Sequence, residues 1–155
     1  MRAADLAEPF PVVHLDDDAL AATQALAREG LPGLVVVDDG GHPLVVLPAS
    51  QVLRFALPEY LEEDPRLARM YPEDEADAFF SALEGKTVRQ LMPSKQYLPK
   101  HDRDRPVVGA ADTLIEVASQ MSRQHSPVVA VVDDDQTVVG VITVHRLLGA
   151  ALEAP

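Results

Sequence analysis

Cysteine is absent from all 155 residues. That removes disulfides, thiolate nucleophiles and cysteine-based zinc sites together, and accords with a cytoplasmic location. Aromatic residues are scarce, 5% against an apolar fraction of 47%, so the core must be aliphatic, built from Val, Leu and Ala. No apolar run approaches the ~20 residues that a membrane-spanning helix needs. The opening MRAADLAEPF lacks the long apolar centre of an export signal. Positive charge is in short supply. Thirteen Lys and Arg stand against 25 Asp and Glu, leaving a formal charge of -12 and a pI of about 4.6. Phosphate backbones and anionic membranes repel such a surface, which disfavours nucleic acid and membranes as partners.

Motifs of catalysis are lacking as well. The histidines are His14, His42, His101, His125 and His145, and none falls in H-E-x-x-H or H-x-x-x-H spacing. No serine lies in G-x-S-x-G. His125 and His145 flank one hairpin and are the pair best placed to meet, but a single His at the end of a strand or helix is ordinarily a surface residue. An enzyme is not expected.

What the chain does contain is a repeat. Pro127 to Leu148 reads PVVAVVDDDQTVVGVITVHRLL, and Pro32 to Leu53 reads PGLVVVDDGGHPLVVLPASQVL. Proline, apolar run, Asp cluster, second apolar run and helix fall in the same order without a gap. Two short β-branched runs around a cluster of carboxylates predict a hairpin of buried strands, because consecutive charges cannot enter a core. Upstream, Asp18 to Glu29 and Asp112 to Gln124 predict helices. Leu114, Val117, Ala118 and Met121 mark one face of the second, and Thr113 with Glu116 fits a capping box. Gly30 suits the end of the first helix. Val12-Val13 and Val107-Val108 predict a short strand before each. One unit is therefore strand, helix, strand, strand, helix.

This βαββα unit, occurring twice, resembles the cystathionine-β-synthase (CBS) domain. The resemblance rests on the Pro-Val near the first strand, the Asp-initiated helix, Pro-Val-apolar-Val-Val-Asp, and Gly140-Val141-Ile142-Thr143 before the last helix. Thr87 to Met92, TVRQLM, looks like the lead-in to such a domain. The implied fold is α/β, tandem CBS units packed about a pseudo-twofold axis. The units span residues 4–57 and 87–152, with a helical acidic insertion at 58–86. The resemblance further implies a stand-alone CBS pair, a homodimer, and a partner protein regulated in trans, such as an ion-transport permease.

The insertion sets Glu59, Glu62, Glu63, Asp64, Glu73, Asp74, Glu75, Asp77 and Glu84 against only Arg66, Arg69 and Lys86. Asp64-Pro65 predicts a helix start, and a second helix is expected over Glu73 to Glu84, burying Phe79, Phe80 and Leu83. The segment is read as a covering hairpin with a solvated acidic face, the other reading being a dock for a basic partner. Asp16, Asp17 and Asp18 read as a helix cap rather than a cation site, since three consecutive side chains point different ways. Residues 94–105, SKQYLPKHDRDR, form the one locally basic loop, with Lys95, Lys100 and Arg103 offered as phosphate contacts.

In CBS domains a Thr or Ser after the last strand and an Asp three residues on hold a nucleotide. Here the second unit has Thr143, but Arg146 stands where the Asp belongs. Arg has no acceptor for a ribose diol, yet can grip a phosphate in two places. The first unit has Pro48 and Gln51 at these positions, a degenerate site. The resemblance thus implies a ligand site in the second unit, formed by Thr143, Val144, His145 and Arg146, with walls from Val107, Val108 and Val128. ATP, ADP or AMP is the regulatory ligand it would take. The other reading of Arg146 is an ion pair with a dimer partner or a nearby Asp. The competing function is a structural dimerisation and docking protein with non-binding pockets.

Overall fold

The computed structural model describes residues 1–92 and 105–153. Two three-stranded sheets carry the fold. The first joins β1 (Val12–His14), β2 (Gly33–Val37) and β3 (Pro43–Pro48), and the second joins β4 (Val107–Gly109), β5 (Val128–Val132) and β6 (Val138–Thr143). In each, the outer pair is parallel and the hairpin antiparallel. The register repeats residue for residue. Val12 faces Val35 as Val107 faces Ala130, and Gly33 faces Pro48 as Val128 faces Thr143. Even the irregularity recurs, between Val36 and Val37 and between Val131 and Val132.

The hairpin turns repeat their hydrogen bonds too. The Asp38 carboxylate accepts from the backbone N–H of Gly40 and His42, and that of Asp133 accepts from Asp135 and Thr137. Each Asp is therefore placed by the turn it closes.

Helices α2 (Ala19–Glu29) and α6 (Leu114–Gln124) connect the parallel strands, and α3 (Ala49–Ala56) and α7 (Val144–Glu153) follow the hairpins. Asp18 caps α2, its carboxylate accepting from the Ala21 N–H. Asp17 accepts from the backbone of His14, and Asp16 pairs with Arg89, so the three aspartates serve three separate partners. Thr113 and Glu116 form the capping box at α6.

Three apolar clusters follow. One lies between the sheets, where Val35, Val37 and Val46 meet Val128, Ala130 and Val141. The other two lie between each sheet and its helices. They contain a crossing that chain order does not suggest. The N-terminal helix α1 (Ala3–Leu6) packs on the second sheet, burying Ala3 and Leu6 among Val108, Val117 and Met121. The 3-10 turn Val88–Leu91 packs on the first, burying Val88 and Leu91 with Ala19 and Leu34. The bonds match pair for pair. Ala3 and Ala4 donate to the carbonyls of Asp112 and Ala110, and Val88 and Arg89 donate to those of Asp17 and Leu15. Each repeat is thus completed by the lead-in of the other.

Between the units, α4 (Glu59–Glu63) is followed by a 3-10 turn over Pro65–Met70, begun by Asp64 as cap. The single helix expected over Glu73 to Glu84 is instead three pieces, a 3-10 turn at Glu73–Glu75, α5 (Ala76–Phe80) and a 3-10 turn at Ser81–Leu83. The Ser81 hydroxyl donates to the Ala78 carbonyl, so it competes with the helical pattern where the helix tightens. The expected buried stripe shrinks accordingly. Leu83 is fully buried, Phe79 packs edge-on to Tyr71, and Phe80 is exposed.

Candidate functional site

The second hairpin delivers Thr143 to the start of α7. There its hydroxyl oxygen accepts the Arg146 backbone N–H at 3.2 Å, an N-cap geometry. The cap fixes the first turn, Val144, His145 and Arg146, at the end of strand β6. The Val144 N–H donates to the Pro127 carbonyl and the Arg146 N–H to the Thr143 hydroxyl, so these two groups of the first turn are partnered, and the helix dipole makes this end favourable to anions. A guanidinium on the same turn adds a full positive charge. The arrangement suits a phosphate group, met by the hydroxyl and the guanidinium at the positive end of the helix dipole.

Arg146 is not solitary. Its Nε lies 3.7 Å from Oε1 of Glu8, and both side chains are about half exposed. The ion pair is made within the chain by a Glu, where the sequence suggested a nearby Asp or a dimer partner. Glu8 reaches this position because its backbone pairs with β6. Its N–H donates to the Val141 carbonyl and its carbonyl accepts from the Val141 N–H, both at 2.9 Å.

The remaining expected site residues divide among different surroundings. Neighbours in a strand face opposite ways. Val107 therefore packs with Val128 between the sheets, whereas Val108 is buried on the helical side with Val117 and Met121. Val144 lines a groove of ≈ 520 Å³ between α6 and α7, with Met121, His125, Pro127 and Leu148. His145 and Arg146 line a different groove, of ≈ 420 Å³, with Met1, Asp5 and Glu153. The two histidines that flank the hairpin thus border separate grooves. Lys95, Lys100 and Arg103 lie outside the described residues.

In the first unit Pro48 occupies the capping position of α3 and makes no side-chain cap bond, and Gln51 sits partly buried in the first turn. The hydroxyl and cation of the second unit have no counterpart at these two positions.

Sequence reasoning missed Glu8. The signal that pointed to it was Gly140, a glycine inside a strand, which often marks a close backbone approach. A Cβ at Gly140 would stand 3.0 Å from the Glu8 carbonyl oxygen and 3.1 Å from the Ala7 Cβ.

A profile of the CBS domain matches residues 98–153. No curated protein matches the chain. Among solved structures, a CBS domain-containing protein of unknown function from Kribbella flavida DSM 17836 is 47% identical, with a TM-score of 0.80 over 98% of this chain and 99% of that one. The CBS-pair protein CBSX2 from Arabidopsis thaliana is 22% identical, with a TM-score of 0.71 over 98% of this chain and 94% of that one. CBSX2 in complex with AMP aligns at 22% identity and a TM-score of 0.64, over 98% of this chain and 96% of that one.

Proposed function

The chain belongs to the CBS domain-containing proteins, and from that premise we propose that it is a regulatory ligand-sensing module rather than an enzyme. Its second-unit cleft takes an adenine nucleotide and holds it chiefly by phosphate. The carrying observation is that the Thr143 cap and the Arg146 guanidinium share the first turn of α7, at the helix end whose dipole favours anions. A CBS pair of similar fold has been solved with AMP, which supports the ligand class. Replacing the family's Asp with Arg146 shifts recognition from the ribose diol to phosphate, so ATP or ADP binds better than AMP, and AMP better than adenosine.

The readout is a bias between two arrangements of a homodimer, sensed by a partner protein, for which a transport permease is the class the family resemblance suggests. Leu53 on α3 and Leu148 on α7 stand at equivalent repeat positions, and each is 50% exposed. Leu57 and Leu152 extend the two rows, also exposed. A second copy related by a twofold axis would cover both rows with its own, the self-complementary arrangement of a closed dimer. The same leucines also favour the second reading, a dimerisation and docking protein whose pockets bind nothing.

Titration calorimetry with adenosine, AMP, ADP and ATP separates the two. Charge-assisted bonds contribute about 1.5–3 kcal/mol each, and a half-exposed Arg146 belongs at the low end. Arg146→Ala is therefore expected to weaken ATP about tenfold and to leave adenosine unchanged. Equal losses for all ligands overturn the phosphate reading. No binding of any ligand by the wild type leaves the docking protein.

A further inference from the structure

We propose that Glu8 is a charge-selective gate on this cleft, its carboxylate holding the Arg146 guanidinium until an anionic ligand displaces it. The proposal rests on the reading of the cleft as a phosphate site.

Glu8 belongs to the N-terminal lead-in, yet its backbone is fixed on the second sheet by the two bonds to Val141. The glycine at 140 makes room for this pairing, since a Cβ there would stand 3.0 Å from the Glu8 carbonyl oxygen. These contacts involve only main-chain atoms of Glu8. The fold therefore does not require a carboxylate here, and the side chain is available for another task.

That carboxylate points at the cation of the cleft. At 3.7 Å and about half exposed, the pair is formed but weak. A gate needs this balance. A buried, bidentate pair would lock Arg146 permanently, whereas a solvated one yields to a stronger anion. A nucleotide phosphate carries more charge than one carboxylate and offers the guanidinium two acceptors at once, so it wins the exchange. A neutral nucleoside does not compete for Arg146 and gains nothing by displacing Glu8. A singly charged carboxylate ligand meets an equal already in place. Glu8 thus raises the charge a ligand must bring, and so sharpens the selection of phosphate-bearing ligands over neutral ones.

The test is a double-mutant cycle of Glu8→Gln and Arg146→Ala, titrated with ATP and with adenosine at low salt. Gln keeps the length and the backbone bonds and removes only the charge. Releasing a half-exposed ion pair is expected to tighten ATP by about three- to fivefold in Glu8→Gln. Adenosine is expected to be unchanged, and the gain for ATP is expected to disappear in the Arg146→Ala background. A gain that persists in full without Arg146 shows plain repulsion and overturns the gate. So does an ATP affinity that falls in Arg146→Ala but does not rise in Glu8→Gln, and this result leaves the phosphate site standing. An ATP affinity indifferent to Arg146→Ala removes the phosphate site and the gate together.

Discussion

Gly30 and His125 stand at equivalent places in the two repeats, and both end a helix with left-handed backbone, at φ 64° and 49°. Their N–H groups close the last turn the same way, Gly30 onto Leu26 and Ala27, His125 onto Met121 and Ser122. Gly41 and Gln136 repeat the relationship in the hairpin turns, at φ 80° and 63°. The second unit keeps the conformation without the residue that adopts it freely.

His125→Gly is therefore expected to stabilise the protein. A left-handed non-glycine residue costs roughly 1–2 kcal/mol, and the extra freedom of glycine in the unfolded chain offsets part of the relief. The net gain should be about 0.5–1 kcal/mol, seen as a higher urea midpoint with an unchanged slope. Gly30→Ala should move the midpoint the other way by a similar amount. A destabilised His125→Gly would show that the imidazole makes contacts worth more than the backbone strain.

Leu83 lies in the acidic segment between the units, yet it is fully buried against Ala19, Val88 and Leu91. Leu83→Ala should cost about 2–5 kcal/mol, the range for a large-to-small change in a packed core. Phe80, three residues earlier and 42% exposed, should lose under about 1 kcal/mol on truncation to Ala. Equilibrium unfolding of the two variants checks the contrast. Equal losses would mean that the whole segment is core, and no loss at Leu83 would place it outside.

Asp38 predicts a response to acid. The backbone N–H of His42 bonds to its carboxylate at 2.9 Å, Gly40 adds a second bond at 2.9 Å, and the His42 ring lies 3.3 Å away. These contacts, the His42 backbone bond foremost, favour the ionised form and together hold the carboxyl below its usual 3.8, although burial pushes the other way. Because the folded value is depressed, the stability Asp38 contributes is present above pH 3.8 and is lost as pH falls through the folded value. Asp38→Asn should be less stable than wild type at neutral pH, and the difference should shrink as the pH drops below this point. Denaturant midpoints from pH 7 to pH 3 measure it. A difference that stays constant with pH would assign the effect to turn geometry alone.

The repeat, the hairpins and the helix starts were legible because their causes are local. Pro32–Leu53 and Pro127–Leu148 carry the β-branched runs and turn aspartates that fix strand and turn in place, and Thr113 with Glu116 caps a helix within four residues. The helix read over Glu73 to Glu84 failed where Ser81 bonds back to Ala78, a competition that apolar spacing does not register. Thr143 was legible as the residue between strand and helix, and the structure gives its hydroxyl the cap of α7.

The sequence by itself thus determined two copies of one unit and placed a hydroxyl and a guanidinium in the second. Only the tertiary structure decided that Ala3 and Leu6 complete the second unit while Val88 and Leu91 complete the first. It also decided that Glu8 meets Arg146. These contacts join segments far apart in the chain, and burying apolar surface is non-directional, so short lead-ins carry no local mark of the sheet they cover. The choice is made by the vacant apolar face that each helix and sheet leave open, and by Gly140, whose missing side chain admits Glu8 to the edge of β6.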